Sequence, residues 1–294
     1  HDGASPLIGL RYLVFGNQDK IYEDAIVTAS SIYSLDPAHA WLWLQDGIVL
    51  DQKFYFIPMK VIPDQTQPEG LQFKVIDTML FEVPIQNQSL DFEAMKQKDV
   101  ALLKTTNGVT RMMGAAMMNA IADDGYIYIY GYIQTYGLRE LIVARVKGDT
   151  FDDIDAWTYY CDGQWTYDMN QATPVLAHIS CEMSVSKILS GPLQGKYIAV
   201  FTYDTDRPYV AFAIGKSPYG PFNDPQKIYH TPEQETFKST TYTYNAKAHP
   251  HLSKSNDILV SYNTNTYNYD HNMSHSHIYR PRFIRLSYVT KETT

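Results

Sequence analysis

The feature that most constrains the fold is a unit of alternating strands that returns after roughly 60 residues. Each unit opens with a strand of small and polar residues, continues after a glycine or aspartate turn into an apolar alternating strand, and adds a third strand. The opening strands are predicted at Gly114–Ala120, Glu182–Ile188 and Asn245–Leu252. Stacked units of this kind bury a shared core and leave only short strand edges, which is typical of a β-propeller.

Period-2 runs of aromatic and β-branched residues recur along the chain, and almost no segment has a sustained helical period. We therefore predict an all-β protein, with one short helix around Asp91–Lys98. The clearest strands are predicted at Leu10–Phe15, Gly47–Ile57, Phe73–Val83, Tyr126–Tyr132, Leu141–Val146, Tyr197–Tyr203, Val210–Gly215, Ile258–Tyr262 and Phe283–Tyr288.

Two less regular units, at Leu10–Tyr33 and Trp41–Val83, precede the three regular ones. Together they predict a five-bladed β-propeller whose four-stranded antiparallel blades surround a central channel, although the spacing also allows four or six blades. All-β folds of 294 residues occur as one unit, so we expect a single domain over residues 1–294.

Charge and composition exclude several classes of partner. The formal net charge is −8, with no Lys/Arg cluster to follow a phosphate backbone, so we expect no nucleic-acid partner. No run approaches the ~20 apolar residues of a transmembrane helix.

Cys161 and Cys181 have no metal-type spacing and are expected to be unbridged, buried residues. We expect a monomer.

Carboxylates at the inner strands are the first candidates for chemistry, because the innermost strand of each blade lines the channel. Asp2, Asp46 and Glu182 each lie at or just before such a strand, in three different units. Hydrolysis of a glycosidic bond generally needs two carboxyl groups that flank the bond. The alternative interpretation is that the two Asp-Gly pairs are turn residues and that Glu182 is a solvated charge at the rim.

The last unit contains a second polar group. Strand alternation would direct Asn245, Lys247, His249 and His251 to one face, where a histidine could bind a metal, hold a substrate hydroxyl or tune a neighbouring acid. Arg282 could clamp a carboxylate or a sugar oxygen, or form a structural ion pair. No cofactor motif is present, and a structural calcium ion in the channel is left open.

Several motifs together resemble one known family. They are the inner strand with Glu182, the turn Ser217–Phe222, the segment Tyr244–Pro250 and the strand Ile258–Asn263. Over about residues 41–288 the chain resembles the family catalogued as domain of unknown function 4185, which is related to the five-bladed propeller glycoside hydrolases and includes arabinan-cleaving enzymes. The resemblance implies this fold and a hydrolase site on its inner strands.

The N-terminal unit matches this family with one difference. His1-Asp2-Gly3 and Phe15-Gly16-Asn17-Gln18 resemble a Gly-Asp-Gly and a Phe-Gly-Asp-Thr element of the family. Asp2 thus keeps a family acid, whereas Asn17 stands where an aspartate is expected. Because an amide cannot act as a nucleophile or a general base, the family's second acid has to be replaced by another carboxylate, or the protein binds sugar without cleaving it.

These observations lead to one main hypothesis, a secreted or periplasmic glycoside hydrolase that acts on a furanoside or an arabinan-like polysaccharide. Glu182 would be the general acid, and Asp2 or Asp46 the partner carboxylate. The predicted substrate-binding residues are Asn17, Trp43, Ser184, Asn245, His249, His251, Tyr262 and Arg282.

The alternative hypotheses belong to other classes of protein. The first is a catalytically inactive carbohydrate-binding propeller, and it follows from Asn17. The second is a protein-interaction propeller, against which the polar inner strands argue.

Overall fold

The computed structural model describes residues 40–68, 70–205, 207–235, 240–254, 257–275 and 277–287. These residues form four antiparallel sheets, here called sheets I to IV in chain order. The all-β prediction is confirmed.

Sheets I and II contain the longest strands. Sheet I consists of β1 (Trp41–Trp43), β2 (Gly47–Leu50), β3 (Lys53–Phe56), β4 (Met59–Pro63), β5 (Phe73–Gln86), β6 (Ser89–Leu90) and β7 (Lys96–Val100). Sheet II consists of β8 (Leu103–Thr106), β9 (Val109–Ala120), β10 (Tyr126–Thr135), β11 (Leu138–Val146), β12 (Thr158–Cys161) and β13 (Gln164–Thr166). The short helix α1 (Ile121–Asp124) joins β9 to β10.

Sheets III and IV are smaller. Sheet III consists of β14 (Met183–Lys187), β15 (Tyr197–Thr202), β16 (Tyr209–Gly215) and β17 (Gln226–His230). Sheet IV consists of β18 (Thr241–Ala248), β19 (Asp257–Thr266) and β20 (Pro281–Ser287), with helix α2 (Tyr269–Ser274) between β19 and β20. Among the described residues, no helix is long and apolar enough to cross a membrane.

Neighbouring sheets pack face to face in chain order. One buried cluster joins sheets I and II around Ile57 and Trp157, a second joins sheet II to sheet III around Tyr130 and Phe201, and a third joins sheets III and IV around Val260. One strand of each sheet contacts its counterpart in the next: β2 contacts β9, β9 contacts β14, and β14 contacts β18. We call these four the inner strands. Their arrangement is β-propeller-like.

The number of strands differs from the prediction. Only sheet III has the expected four strands within the part of the chain that the structure describes. The predicted strand Gly47–Ile57 is a hairpin, because Asp51 and Gln52 both adopt positive φ, at 45° and 61°, and so form a turn that suits tightly connected strands. The strand-like residue pattern continues on both sides of this turn, so the sequence alone does not indicate it.

The helix predicted at Asp91–Lys98 is wrong. The segment turns at Phe92–Met95 and continues into β7, which pairs with β5. Pairing with a buried strand offers the backbone more hydrogen bonds and contacts than an isolated two-turn helix, which is marginal in water.

Sheet I contains a buried carboxylate, Glu82. Lys53 and Lys96 form ion pairs with it at 3.0 and 3.1 Å, and the Tyr55 hydroxyl donates to it at 3.1 Å. Burial raises the pKa of Glu82, but the hydrogen bonds from Lys53, Lys96 and Tyr55 together outweigh burial and hold this pKa below its ordinary value.

Glu82→Gln is expected to lower the free energy of unfolding by about 1–3 kcal/mol at pH 7. A depressed pKa contributes stability above the unfolded-state pKa of about 4.3, and this contribution is lost as pH falls through the folded-state pKa. Urea unfolding at pH 7 and pH 3 checks both points, with the exposed Glu93→Gln as a matched control. A difference between wild type and Glu82→Gln that does not change with pH contradicts the assignment.

Candidate active site

Polar side chains connect the four inner strands to one another. Asp46, directly before β2, accepts a hydrogen bond from the Met117 N–H of β9 at 2.7 Å. Ser184 on β14 accepts one from the Ala248 N–H of β18 at 2.7 Å. The Lys247 ammonium of β18 donates to the Gln45 carbonyl at 3.3 Å. These three hydrogen bonds join residues that are distant in sequence and hold the inner strands together.

Asp46 is the most firmly held carboxylate of this group. Its second oxygen accepts the Gly47 N–H at 2.9 Å, so each carboxylate oxygen receives one main-chain donor. Each oxygen also keeps a second lone pair for a further partner. Asp46 therefore has a fixed orientation and the capacity to accept a hydrogen bond from a ligand or a water molecule.

Glu182 occupies the corresponding position in sheet III, directly before β14, and is half-buried. The Cys181 thiol donates to Glu182 Oε2 at 2.9 Å. The Ser180 hydroxyl donates to the Glu182 carbonyl and accepts the Thr202 N–H at 3.2 Å. This second interaction ties the main chain at Glu182 to β15 and so fixes where the carboxylate leaves the backbone.

The charge of the Glu182 carboxylate acts on tyrosines of two sheets. Burial is the main reason that the pKa values of Tyr132, Tyr242 and Tyr244 are raised, to about 12 for the first two. The negative charge of Glu182 contributes to the rise in all three, which places its carboxylate within electrostatic reach of their hydroxyls. The rings of Tyr242 and Tyr244 lie 5.5 Å apart. The site thus combines a carboxylate with aromatic surfaces.

Arg139, the second residue of β11, approaches the same site. Its guanidinium lies 5.3 Å from the centre of the Tyr132 ring and donates to Thr205 Oγ1 at 2.7 Å. Burial raises the pKa of the Cys181 thiol, as does the charge of Glu182, whereas the charge of Arg139 opposes the rise. A cation and a carboxylate therefore both act on Cys181.

Asn245 lies at an irregularity of β18. The pairing of β18 with β19 shifts register between Tyr244 and Lys247, and Asn245 adopts a left-handed φ of 56°. Its Oδ1 atom is buried and has no hydrogen-bond partner among the described residues. An unsatisfied buried acceptor is costly, so Asn245 is a candidate to receive a donor from a ligand or from water.

His249 and His251 follow the end of β18 and do not continue its alternation. The strand stops at Ala248 because Pro250 cannot donate to a ladder and starts a 3-10 turn, Pro250–Leu252. His249 shares a hydrogen bond of 2.7 Å with Ser261 Oγ, and burial, followed by the nearby charges of His251 and Lys247, lowers its pKa. His251 is exposed.

Tyr262 and Arg282 belong to a separate network. The buried Tyr262 hydroxyl lies 3.1 Å from both oxygens of Glu233, and Arg282 Nε donates to Glu233 at 3.2 Å. The other guanidinium nitrogens of Arg282 donate to main-chain carbonyls, including that of His277 at 2.6 Å. These partners occupy most of the N–H donors of Arg282, so we place neither Tyr262 nor Arg282 in the candidate site.

The remaining predicted residues are dispersed. Trp43 lies on β1, at the opposite edge of sheet I from β2, where its half-exposed ring packs 4.5 Å from that of Phe73. Asp2 and Asn17 lie outside the described residues. The structure therefore brings Asp46, Glu182, Ser184 and Asn245 onto or beside the inner strands.

Tyr132, Tyr242, Tyr244 and Arg139 were not singled out from the sequence. The available signal was the abundance of tyrosine, 24 in the chain, but composition does not separate strand-forming from ligand-facing tyrosines.

Within the described ranges, no group of three or more His, Cys, Asp or Glu side chains is arranged to hold a metal ion. Cys161 and Cys181 are both free, as expected, but they are partly exposed and not buried as predicted.

Residues 12–288 match the model of the family described as domain of unknown function DUF5005. The assignment to family 4185 is not confirmed. No curated protein matches the chain.

Solved structures resemble the chain at low sequence identity. A Bacteroides ovatus protein, provisionally described as a hydrolase, is 22% identical with a TM-score of 0.59; the match covers 84% of this chain and 61% of that protein. This chain thus spans less than two thirds of that protein, and the likeness concerns the fold alone. A GH43 β-xylosidase/α-arabinofuranosidase from a compost metagenome is 16% identical over 87% of this chain and 94% of that one, with a TM-score of 0.36. A GH43_1 enzyme from Xanthomonas citri is 13% identical over 87% and 90%, with a TM-score of 0.35.

Proposed function

The chain belongs to the DUF5005 family, whose description assigns no activity, and from the residues of its inner strands we propose that it is a glycoside hydrolase. The observation that carries the proposal is the position of Glu182, a half-buried carboxylate that directly precedes an inner strand, accepts a hydrogen bond from Cys181 and acts by its charge on tyrosines of sheets II and IV. Sugar sites use this combination of carboxylates and flat aromatic surfaces.

In the proposed reaction, Glu182 donates a proton to the glycosidic oxygen as the bond to the anomeric carbon breaks. Asp46 is the partner carboxylate among the described residues, because two main-chain N–H groups hold it in place and it retains lone pairs for water or the anomeric centre. Asn245 Oδ1, buried and unpartnered among the described residues, accepts a sugar hydroxyl. Tyr242 and Tyr244 pack against the sugar faces.

The proposed substrates are furanosides and arabinan-like polysaccharides, which such a protein would meet in a secreted or periplasmic location. We also propose that the chain forms one domain with five blades around a channel.

Asp46→Asn is expected to reduce kcat about 10²–10⁴-fold, because an amide can neither take the proton of the attacking water nor attack the anomeric carbon as a nucleophile. The amide oxygen still accepts one main-chain donor, so the protein stays folded. Asp51→Asn, at the other end of β2, is the matched control and should leave kcat unchanged. Equal kcat values for Asp46→Asn and wild type would show that Asp46 serves only to join β2 to β9.

The proposal as a whole is tested with arabino- and xylo-oligosaccharides of two to six residues. Products are followed by chromatography while calorimetry measures binding to the same preparations. Products that disappear in Glu182→Gln support the hydrolase. Binding without products supports the alternative, a carbohydrate-binding propeller, and overturns the hydrolase.

A further inference from the structure

A cavity of about 470 Å³ lies between sheets II and III, and Glu182 is not among the residues that line it. Its walls come from the chain before β14, from the start of β11 and from the segment between β16 and β17. Cavities of this volume accommodate small-molecule ligands. The apolar part of the wall includes Pro174, Val175 and Leu176, and the polar part includes Glu140, His178 and Asp224.

His178 is held in a defined orientation at this cavity. Its Nδ1 lies 2.8 Å from Asp204 Oδ1, and its ring stacks on that of Tyr203 with centres 5.0 Å apart and planes 9° apart. With Nδ1–H donating to Asp204, a neutral imidazole keeps Nε2 as an acceptor. The backbone is also constrained, since His178, Asp204 and Thr205 all adopt positive φ, between 48° and 70°. For the β-branched Thr205 this conformation is unusual.

The polar groups of the cavity are mainly acceptors. Glu140 and Asp224 have no ion pair within the described part of the chain, and the residues that line the cavity include no lysine or arginine. A ligand that presents several hydroxyl donors beside apolar C–H surfaces matches this combination of carboxylates, imidazole and proline. Sugars have both properties.

The cavity is also close to the proposed active site along the chain. His178 and Glu182 are four residues apart, so their Cα atoms are separated by at most about 14 Å even if the chain is fully extended. Arg139 links the two regions, because it lies beside Tyr132 and donates to Thr205, the residue that follows the His178 partner Asp204.

We propose that the His178 cavity is a distal sugar-binding subsite, so that the preferred substrate is an oligosaccharide long enough to reach from Glu182 to His178. This inference rests on the proposed function. The cavity binds a sugar unit several residues from the bond that is cleaved, with His178, Glu140 and Asp224 as acceptors for its hydroxyls.

The experiment measures calorimetric binding of arabinobiose and arabinohexaose in the Glu182→Gln background, where the probe is not consumed. His178→Asn keeps a residue that tolerates the left-handed conformation, and Asp224→Ala changes an exposed position. We expect each to weaken binding of arabinohexaose about tenfold and to leave arabinobiose unchanged. His230→Ala is the control, because its side chain is 44% exposed like that of His178 and its ring also packs on a tyrosine.

The outcomes separate this proposal from the proposed function. Equal weakening for both probes, or none, overturns the distal subsite even if wild type forms products. Binding of arabinohexaose that depends on His178, without products from wild type, supports the subsite and overturns hydrolysis. If neither probe binds, both proposals are overturned.

Discussion

Glu182→Gln is expected to reduce turnover of an arabino-oligosaccharide about 10²–10⁴-fold, the contribution usual for a positioned general acid. Glutamine has nearly the shape of glutamate, and its amide oxygen can still accept the hydrogen bond from the Cys181 thiol, so the fold around β14 is maintained. It cannot supply a proton to the glycosidic oxygen. Initial rates of product formation measure the effect, and urea unfolding verifies that stability is retained.

The leaving group distinguishes a general acid from other roles for Glu182. A 4-nitrophenolate departs without protonation, so Glu182→Gln should lose less than about tenfold on 4-nitrophenyl arabinofuranoside. Equal losses on both substrates would assign Glu182 to a nucleophile or base. Unchanged turnover on both would remove it from the chemistry. The exposed Glu93→Gln is the control for a change in net charge.

Gly131→Ala is expected to lower the free energy of unfolding by about 3 kcal/mol or more, at the upper end for overpacking. A Cβ atom at this position would lie 1.9 Å from the Met112 carbonyl oxygen and 2.7 Å from Met113 Cα. Both are backbone atoms of β9, where the register with β10 shifts. Side-chain rearrangement cannot relieve the clash, so the two strands have to separate locally.

A second glycine provides the control for Gly131. Gly163, in the turn between β12 and β13, has a φ of +88° with open space around it, so Gly163→Ala should cost only about 1–2 kcal/mol for the left-handed backbone. Urea unfolding of both variants measures the difference. A smaller effect at Gly131 than at Gly163 would contradict the close approach of β9 and β10.

Much of the fold could be predicted from the sequence because strand alternation is local. Strands such as Tyr126–Thr135 and Tyr197–Thr202 lie where the period-2 pattern indicated, and the polar opening strands include inner strands β9, β14 and β18. The errors have non-local causes. The segment before β7 became a turn and a strand because β5 was available to pair with it, and the number of strands in each sheet depends on such pairings.

The candidate site could be predicted only in part, for a related reason. Asp46 and Glu182 were identified because each directly precedes an inner strand. Tyr132, Tyr242 and Tyr244 were not, since they belong to strands of two other sheets and only the packing of those sheets brings them within electrostatic reach of Glu182. Arg282 and Tyr262 had the residue types of a sugar site, but Glu233, 49 and 29 residues away in sequence, binds both.

The sequence by itself determined the all-β class, the repeating unit and the small and polar residues of its opening strands, because a two-residue period and its turn residues are local properties of the chain. The tertiary structure alone decided which polar side chains have partners. Asp46 meets Met117 and His178 meets Asp204, whereas Arg282 is neutralised by Glu233. These partners are brought together by the packing of the sheets, and burial then determines the energy of each pairing.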